Sequence, residues 1–171
     1  MSARRSNGFT LVELMVTLVV LGVLASIAFP SFRGLIRSNR ISTSNNEIVG
    51  VLSLARSEAI RNGRGAGVCA STKGFACDGT WSDGLMAWAD SDAAGGAFQD
   101  GETVLRFVAG NTTQVVTGPN EAIAFDPRGR RRATANQSLE LQPSDCKADD
   151  PKRKLTVNLS GQVRVERTTC K

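Results

Sequence analysis

The sequence predicts an α+β chain: a long N-terminal helix, membrane-spanning at first and amphipathic later, packed on a C-terminal head of antiparallel strands resembling a sandwich. Three observations carry that reading. Residues 9–29 form an apolar run with a single charge, Glu13. Residues 30–62 place apolar side chains at helical spacing and end at Gly63 and Gly65. Beyond them, short alternating runs are separated by Gly, Asp, Asn and Ser, the pattern of antiparallel sheets.

A basic leader, residues 1–8 with Arg4 and Arg5, precedes the apolar run. The run from Phe9 to Phe29 is about 21 residues long, enough to cross roughly 30 Å of hydrocarbon as a helix. Inside lipid every backbone group must be satisfied within the segment, which selects helix. Glu13 is costly there, so its carboxylate must find a partner or take up a proton. Cleavage between Gly8 and Phe9 would free an amine four residues from Glu13, and a neighbouring copy's amine could then pair with it. An ordinary secretory signal cut at Ser26-Ile27-Ala28 and a plain membrane anchor are the alternatives. Neither explains an acidic residue five positions after a glycine.

The amphipathic continuation, residues 30–62, repeats Ile41, Ile48, Leu52, Ala55 and Ala59 along one stripe. Arg37, Arg40, Asn45, Asn46, Glu47, Arg56 and Arg61 are assigned to the other faces. The head, residues 63–171, holds strand candidates at 67–70, 85–89, 103–108, 113–116, 122–125, 138–141, 155–159 and 162–165. Ser160-Gly161 predicts a tight hairpin between the last two. Arg164 alternates with Val163 and Val165, so it should face solvent if the valines face the core.

The chain contains no His, which removes His-based triads and His metal sites. It shows no nucleophile elbow, Ser-x-x-Lys or phosphate loop, so the reading is not an enzyme and requires no cofactor. Cys69, Cys77, Cys146 and Cys170 predict two disulfides in an exported chain, with three possible connectivities. Sequence proximity favours Cys69–Cys77 and Cys146–Cys170. Zinc is the alternative, but the spacing is not C-x-x-C. Asp90, Asp92, Asp100 and Glu102 flank a glycine-rich loop and could hold calcium. Their spacing departs from an EF-hand, and a solvated acidic turn is the preferred reading, with no metal.

Charge is uneven: residues 9–126 carry net −3 and residues 127–171 net +6. Arg128, Arg130, Arg131 and Arg132 form the densest basic run, expected at a loop tip. Lys152-Arg153-Lys154 is a second cluster. Arg164, Arg167 and Lys171 are a third. Guanidinium groups pair well with phosphates, so these residues are candidates for double-stranded DNA. A solvated surface or a contact with an acidic partner is the alternative.

Gly8-Phe9-Thr10-Leu11-Val12-Glu13 before an apolar helix resembles the class III signal of type IV pilins and type II secretion pseudopilins. The resemblance implies cleavage after Gly8 by a prepilin peptidase, N-methylation of Phe9, a registration role for Glu13 and a helix kink at Pro30. The stretch from Leu54 to Asn62 is similar to the helix end of the GspH/FimT group of minor pilins and pseudopilins. Val68-Cys69, Cys77, Trp81-Ser82-Asp83-Gly84-Leu85, Asp90-Ser91-Asp92 and Ile123-Ala124-Phe125-Asp126-Pro127-Arg128-Gly129 match in order. The resemblance implies the type IV pilin fold and a single-pass inner-membrane protein with a periplasmic head that later joins a pilus at the cell surface. Its implied partners are other major and minor pilins, the prepilin peptidase/methylase and the inner-membrane assembly platform. The expected function is that of a minor type IV pilin that primes or decorates the fibre. A type II secretion pseudopilin is one alternative. The other is a DNA-binding pilin for natural transformation, whose signature Gly-Arg-x-Arg reads Gly161-Gln162-Val163-Arg164 here.

Overall fold

The computed structural model describes residues 9–171, without the side chains of 27, 28, 30, 31 and 33; Gly8 and the rest of the leader lie outside the described residues. Helix α1 spans Leu11–Asn62. Two compact units divide the chain, one up to Ile36 and the other Arg37–Lys171. The boundary thus falls inside the helix, because the apolar stripe that begins at Ile41 is core of the second unit.

Within that second unit, the helix buries Ile41, Ile48, Val51, Leu52, Ala55 and Ala59. Asn45 is also buried, although its polarity assigned it to an outer face. It sits one helical turn after Ile41, so the 3.6-residue period places it on the stripe. Asn62 ends the helix by accepting the N–H groups of Arg64 at 2.8 Å and Gly65 at 3.1 Å. Gly63 follows at φ 67°, the left-handed position that glycine fills at helix ends.

Eight strands follow: β1 Ala66–Ala70, β2 Gly84–Ala89, β3 Thr103–Ala109, β4 Gln114–Thr117, β5 Ile123–Phe125, β6 Gln137–Pro143, β7 Pro151–Val157 and β8 Val163–Thr169. They form two four-stranded sheets, ordered β3-β2-β1-β5 and β4-β6-β7-β8. Every pairing between these strands is antiparallel. One core joins the helix stripe to Val68, Leu85, Ala87, Ile123 and Phe125 of the first sheet. The second sheet adds Leu139, Leu141, Leu155 and Val157 to it.

The first sheet is covered on both faces. Its opposite face carries Cys69, Met86 and Trp88, packed with Phe98, Phe107 and Ala122. A strand buried on both sides reads as a continuous apolar run, as Gly84-Leu85-Met86-Ala87-Trp88-Ala89 does. In the second sheet β6 and β7 alternate buried with half-buried residues, as one-sided sheets do. β7 begins four residues before the expected strand, so Lys152, Arg153 and Lys154 are strand residues. It stops at Val157 because Asn158 opens the turn: its side chain accepts the Gln162 N–H at 2.9 Å and the Ser160 hydroxyl at 2.7 Å. Arg164 is exposed as expected, but Val165 is 39 % exposed as well. β8 is the sheet edge, which no further strand flanks.

Disulfides join Cys69–Cys77 and Cys146–Cys170. The second closes the end of β8 onto the loop before β7. There Cys170 N–H donates to the Asp150 carbonyl at 2.9 Å, and Arg37 pairs with the Asp150 carboxylate. With a sequence separation of 24, loop-closure entropy assigns this bridge about 3.5 kcal/mol. Replacing Cys146 and Cys170 together by serine is expected to lower the thermal midpoint by well over 5 °C, measured by circular dichroism.

Candidate assembly segment and head surface

The first unit opens on a helix cap. Thr10 Oγ1 accepts the Glu13 N–H at 3.2 Å, and the Thr10 carbonyl accepts the Leu14 N–H at 3.1 Å. Thr10-x-x-Glu13 is the capping-box spacing, a signal available in the sequence beside the cleavage motif. The segment is apolar all round: Phe9, Leu11, Val12, Leu14, Met15, Val16, Leu18 and the following large side chains to Leu24 are all exposed. A helix of this kind must be covered by lipid or by other helices. Its hydroxyls need neither. Thr17 donates to the Leu14 carbonyl at 2.8 Å and Ser26 to the Val23 carbonyl at 2.7 Å. Glu13 differs, since its carboxylate has no ion-pair partner among the described residues.

Among the described residues, no helix is long and apolar enough to cross a membrane. The expected span runs to Phe29, and the side chains at 27 and 28 lie outside the described set. The helix continues through Pro30, whose side chain is also outside it. Cleavage at Gly8 falls on undescribed residues.

In the second unit the arginine run does not form one patch. Arg128 is exposed. Arg130 pairs with Asp126 at 3.2 Å. Arg132 donates to the Arg64 carbonyl at 2.8 Å and lies 3.4 Å from the Asp90 carboxylate. Arg131 is 5 % exposed, which corrects its place among the solvent-facing cations. Residue 131 bridges to Phe125, and its Nη1 donates to the Val157 carbonyl at 3.2 Å. Its Nε and Nη2 are buried without partners. Burial pushes its guanidinium below the ordinary value. Arg131 therefore joins the end of one sheet to the end of the other and cannot meet a phosphate outside. Arg164 lies 3.5 Å from Glu166, while Arg167 and Lys171 are exposed.

Arg56, half-buried on the helix, makes a second junction. Its Nε donates to the Gly129 carbonyl at 2.9 Å and its Nη2 to the Ser160 carbonyl at 3.1 Å. One side chain thus holds the turn after β5 and the turn after β7. This explains an arginine in the helix-end motif without invoking a ligand.

Asp90, Asp92 and Glu102 bring carboxylate oxygens within 4.8 Å of one another. Asp100 is not part of that group. The loop itself uses these oxygens: Asp90 accepts the Ala93 N–H at 2.7 Å, Asp92 the Ala94 N–H at 2.9 Å and Glu102 the Gln99 N–H at 2.7 Å. The arrangement offers hard oxygens to a cation; Asp92 is exposed as a solvated turn predicts, whereas Asp90 is buried beside Arg132, which corrects its place in such a turn.

Several carboxylates are held below their ordinary range. Asp78 is lowered by the Thr72 N–H and hydroxyl, and Asp83 by those of Thr80. Asp150 is lowered by the Lys147 N–H first, then by Arg37. Burial pushes Asp126 up, but the N–H groups of Arg130 and Arg128 and the Arg130 guanidinium outweigh it. A carboxylate with a lower folded than unfolded pKa adds stability above the unfolded value of about 4, lost as pH falls through the folded value. The thermal midpoint should therefore fall below about pH 4, by an amount that solvent screening at the exposed Asp78 and Asp83 keeps modest. A midpoint flat from neutrality to pH 3 would contradict these contacts.

Comparison with known proteins agrees with this architecture. The profile of a family described as type II transport protein GspH matches residues 44–161. The prokaryotic N-terminal methylation motif matches residues 3–29. A type IV major fimbrial protein, FimA of Dichelobacter nodosus, is 26% identical over 156 residues, covering 84% of this chain and 96% of FimA. The type IV minor pilin FimU of Pseudomonas aeruginosa superimposes with a TM-score of 0.59 at 20% identity, over 75% of this chain and 90% of FimU. The minor pseudopilin EpsH of the Vibrio cholerae type 2 secretion system gives 0.52 at 15% identity, over 73% of this chain and 94% of EpsH. At these identities the two structures share the fold.

Proposed function

This chain belongs to the GspH family, and from that premise we propose that it is a minor type IV pilin, a structural subunit that enters a pilus and primes or decorates it. The observation that carries the reading is the N-terminal methylation motif joined to a helix apolar on every side. Such a helix is stable only when lipid or neighbouring helices cover it, so the same segment serves first as an inner-membrane anchor and later as filament core. The prepilin peptidase cuts after Gly8 and methylates Phe9. The inner-membrane platform then draws the subunit into a fibre of other pilins. Glu13 supplies the one charge that fixes register in that apolar packing. The head performs no chemistry and presents its surface outward.

The pseudopilin of a type II secretion system is the second reading, favoured by the family description and by the likeness to EpsH. Shearing surface fibres from cells expressing a tagged chain separates the two. Recovery of the chain with the pili supports the first reading. Its absence from pili, together with a secretion defect on deletion, supports the second. The DNA-uptake reading loses its densest cluster, since Arg131 is buried and Arg130 and Arg132 face carboxylates.

A further inference from the structure

Among the described residues no strand flanks β8, the edge of the second sheet. At one end of the β7–β8 pairing Cys170 N–H donates to the Asp150 carbonyl at 2.9 Å, and at the other Asn158 N–H donates to the Gln162 carbonyl at 3.0 Å. Facing residues in an antiparallel ladder alternate between pairs that exchange hydrogen bonds and pairs that do not. The alternation makes Arg164, Glu166 and Thr168 the β8 residues bonded to β7. Val163, Val165, Arg167 and Thr169 turn their N–H and carbonyl groups outward, onto a free edge. The strand has no proline and its register no shift, so charge is what guards this edge.

The side chains of the outward-bonding residues lie on the core face, because Val163 and Val165 stand opposite the buried Val157 and Leu155. That face is open beside the edge. Val165 is exposed, and so is Ile60 of α1. Val49, Leu52, Ser53 and Ile60 line a groove between the helix and Val163. One more strand, at the usual spacing of about 4.8 Å from β8, would cover these apolar side chains. Further along, Arg167 is exposed, stands opposite Arg153 and has no carboxylate partner among the described residues. Like charges directly opposed across a sheet are destabilising, and a carboxylate beside Arg167 would relieve the pair.

We propose that the β8 edge docks an extended acidic segment of a partner protein, which adds as a further strand with apolar residues against Val163 and Val165 and a carboxylate against Arg167. In strand addition the main-chain hydrogen bonds give affinity and alternate side chains give specificity. Charge selects the occupant. Arg164, Arg167 and Lys171 against Glu166 leave this edge net +2, which attracts an acidic strand. The β8 of a second copy is equally basic, and its residues 163, 165, 167 and 169 include no acid to face Arg167. Such an edge suits a pilin and a pseudopilin alike, so the docking stands apart from either assembly reading.

The test is the fluorescence anisotropy of a dye-tagged peptide, Thr-Thr-Glu-Thr-Val-Glu-Val, titrated with the full-length chain in mild detergent. Laid antiparallel along β8 from Thr169 to Val163, it sets its first glutamate opposite Arg167 and its valines opposite Val165 and Val163. The peptide should bind with saturation. Methylating the amide nitrogens of that glutamate and both valines removes the donors that face β8 and keeps the charge, so affinity should fall roughly tenfold or more. Val165→Pro should weaken binding by roughly the same factor and leave the thermal midpoint near wild type, because the lost N–H faces the free edge and not β7. Arg167→Glu should weaken the parent peptide and favour one with lysine in place of the first glutamate. A methylated peptide that binds as well as the parent, a wild-type chain that prefers the lysine peptide, or no binding up to about 1 mM overturns the proposal. So does pairing between two differently tagged copies that Val165→Pro breaks and the peptide does not displace, which makes the occupant a second copy. If Val165→Pro lowers the midpoint, the methylated peptide still decides.

Discussion

An Glu13→Ala chain is expected to be made, processed and held with the membrane, yet to be missing from sheared fibres. Glu13 is the one charge in a segment whose large side chains are exposed and apolar. An unpaired carboxylate in such surroundings costs several kcal/mol, and pairing in the assembled state recovers that cost. Breaking a buried pair costs about 3 kcal/mol or more, over a hundredfold in an equilibrium constant. The helix start survives the substitution, because the cap uses the residue-13 N–H and Thr10 Oγ1, which alanine leaves in place. The loss would therefore report on the carboxylate. Incorporation at the wild-type level, measured by immunoblot of sheared fibres, would remove Glu13 from assembly.

The second large effect is on the head. Gly161→Ala should cost about 3 kcal/mol. Gly161 has φ 76°, and a Cβ there would run into the Gly129 carbonyl and approach Arg56 Nε to 3.0 Å. The same carbonyl accepts the Arg56 hydrogen bond, so the added methyl pushes apart the two turns that Arg56 holds. Urea unfolding of the detergent-solubilised chain should show a lower midpoint at unchanged slope. Gln162→Arg, next in sequence, changes an exposed side chain and should stay within about 0.5 kcal/mol of wild type. The glycine shared with the Gly-Arg-x-Arg signature thus has a reason in the fold, independent of any ligand.

The helix and the strands were legible because their signals are local. The 3.6-residue stripe ending at Gly63 marks α1, and Asn158 to Gln162 marks the hairpin. The favoured disulfides were legible by proximity alone. Two features were obscured by polarity. Asn45 lies on the buried stripe by spacing, whereas its amide predicts an outer face. Charge groups Arg131 with its neighbours, although next to a strand end adjacent residues point to opposite sides, and Arg131 is buried. The Arg153–Arg167 pair is the least legible. The two stand far apart in sequence and meet only once the Asn158–Gln162 turn fixes the β7–β8 register.

The central claim is that this chain is a processed pilin-type subunit, and the intact mass of the protein recovered from cells tests it most directly. The account predicts a chain beginning at Phe9 with one added methyl group and two intact disulfides. A chain beginning near Phe29, or one that retains the leader before Phe9, would contradict it.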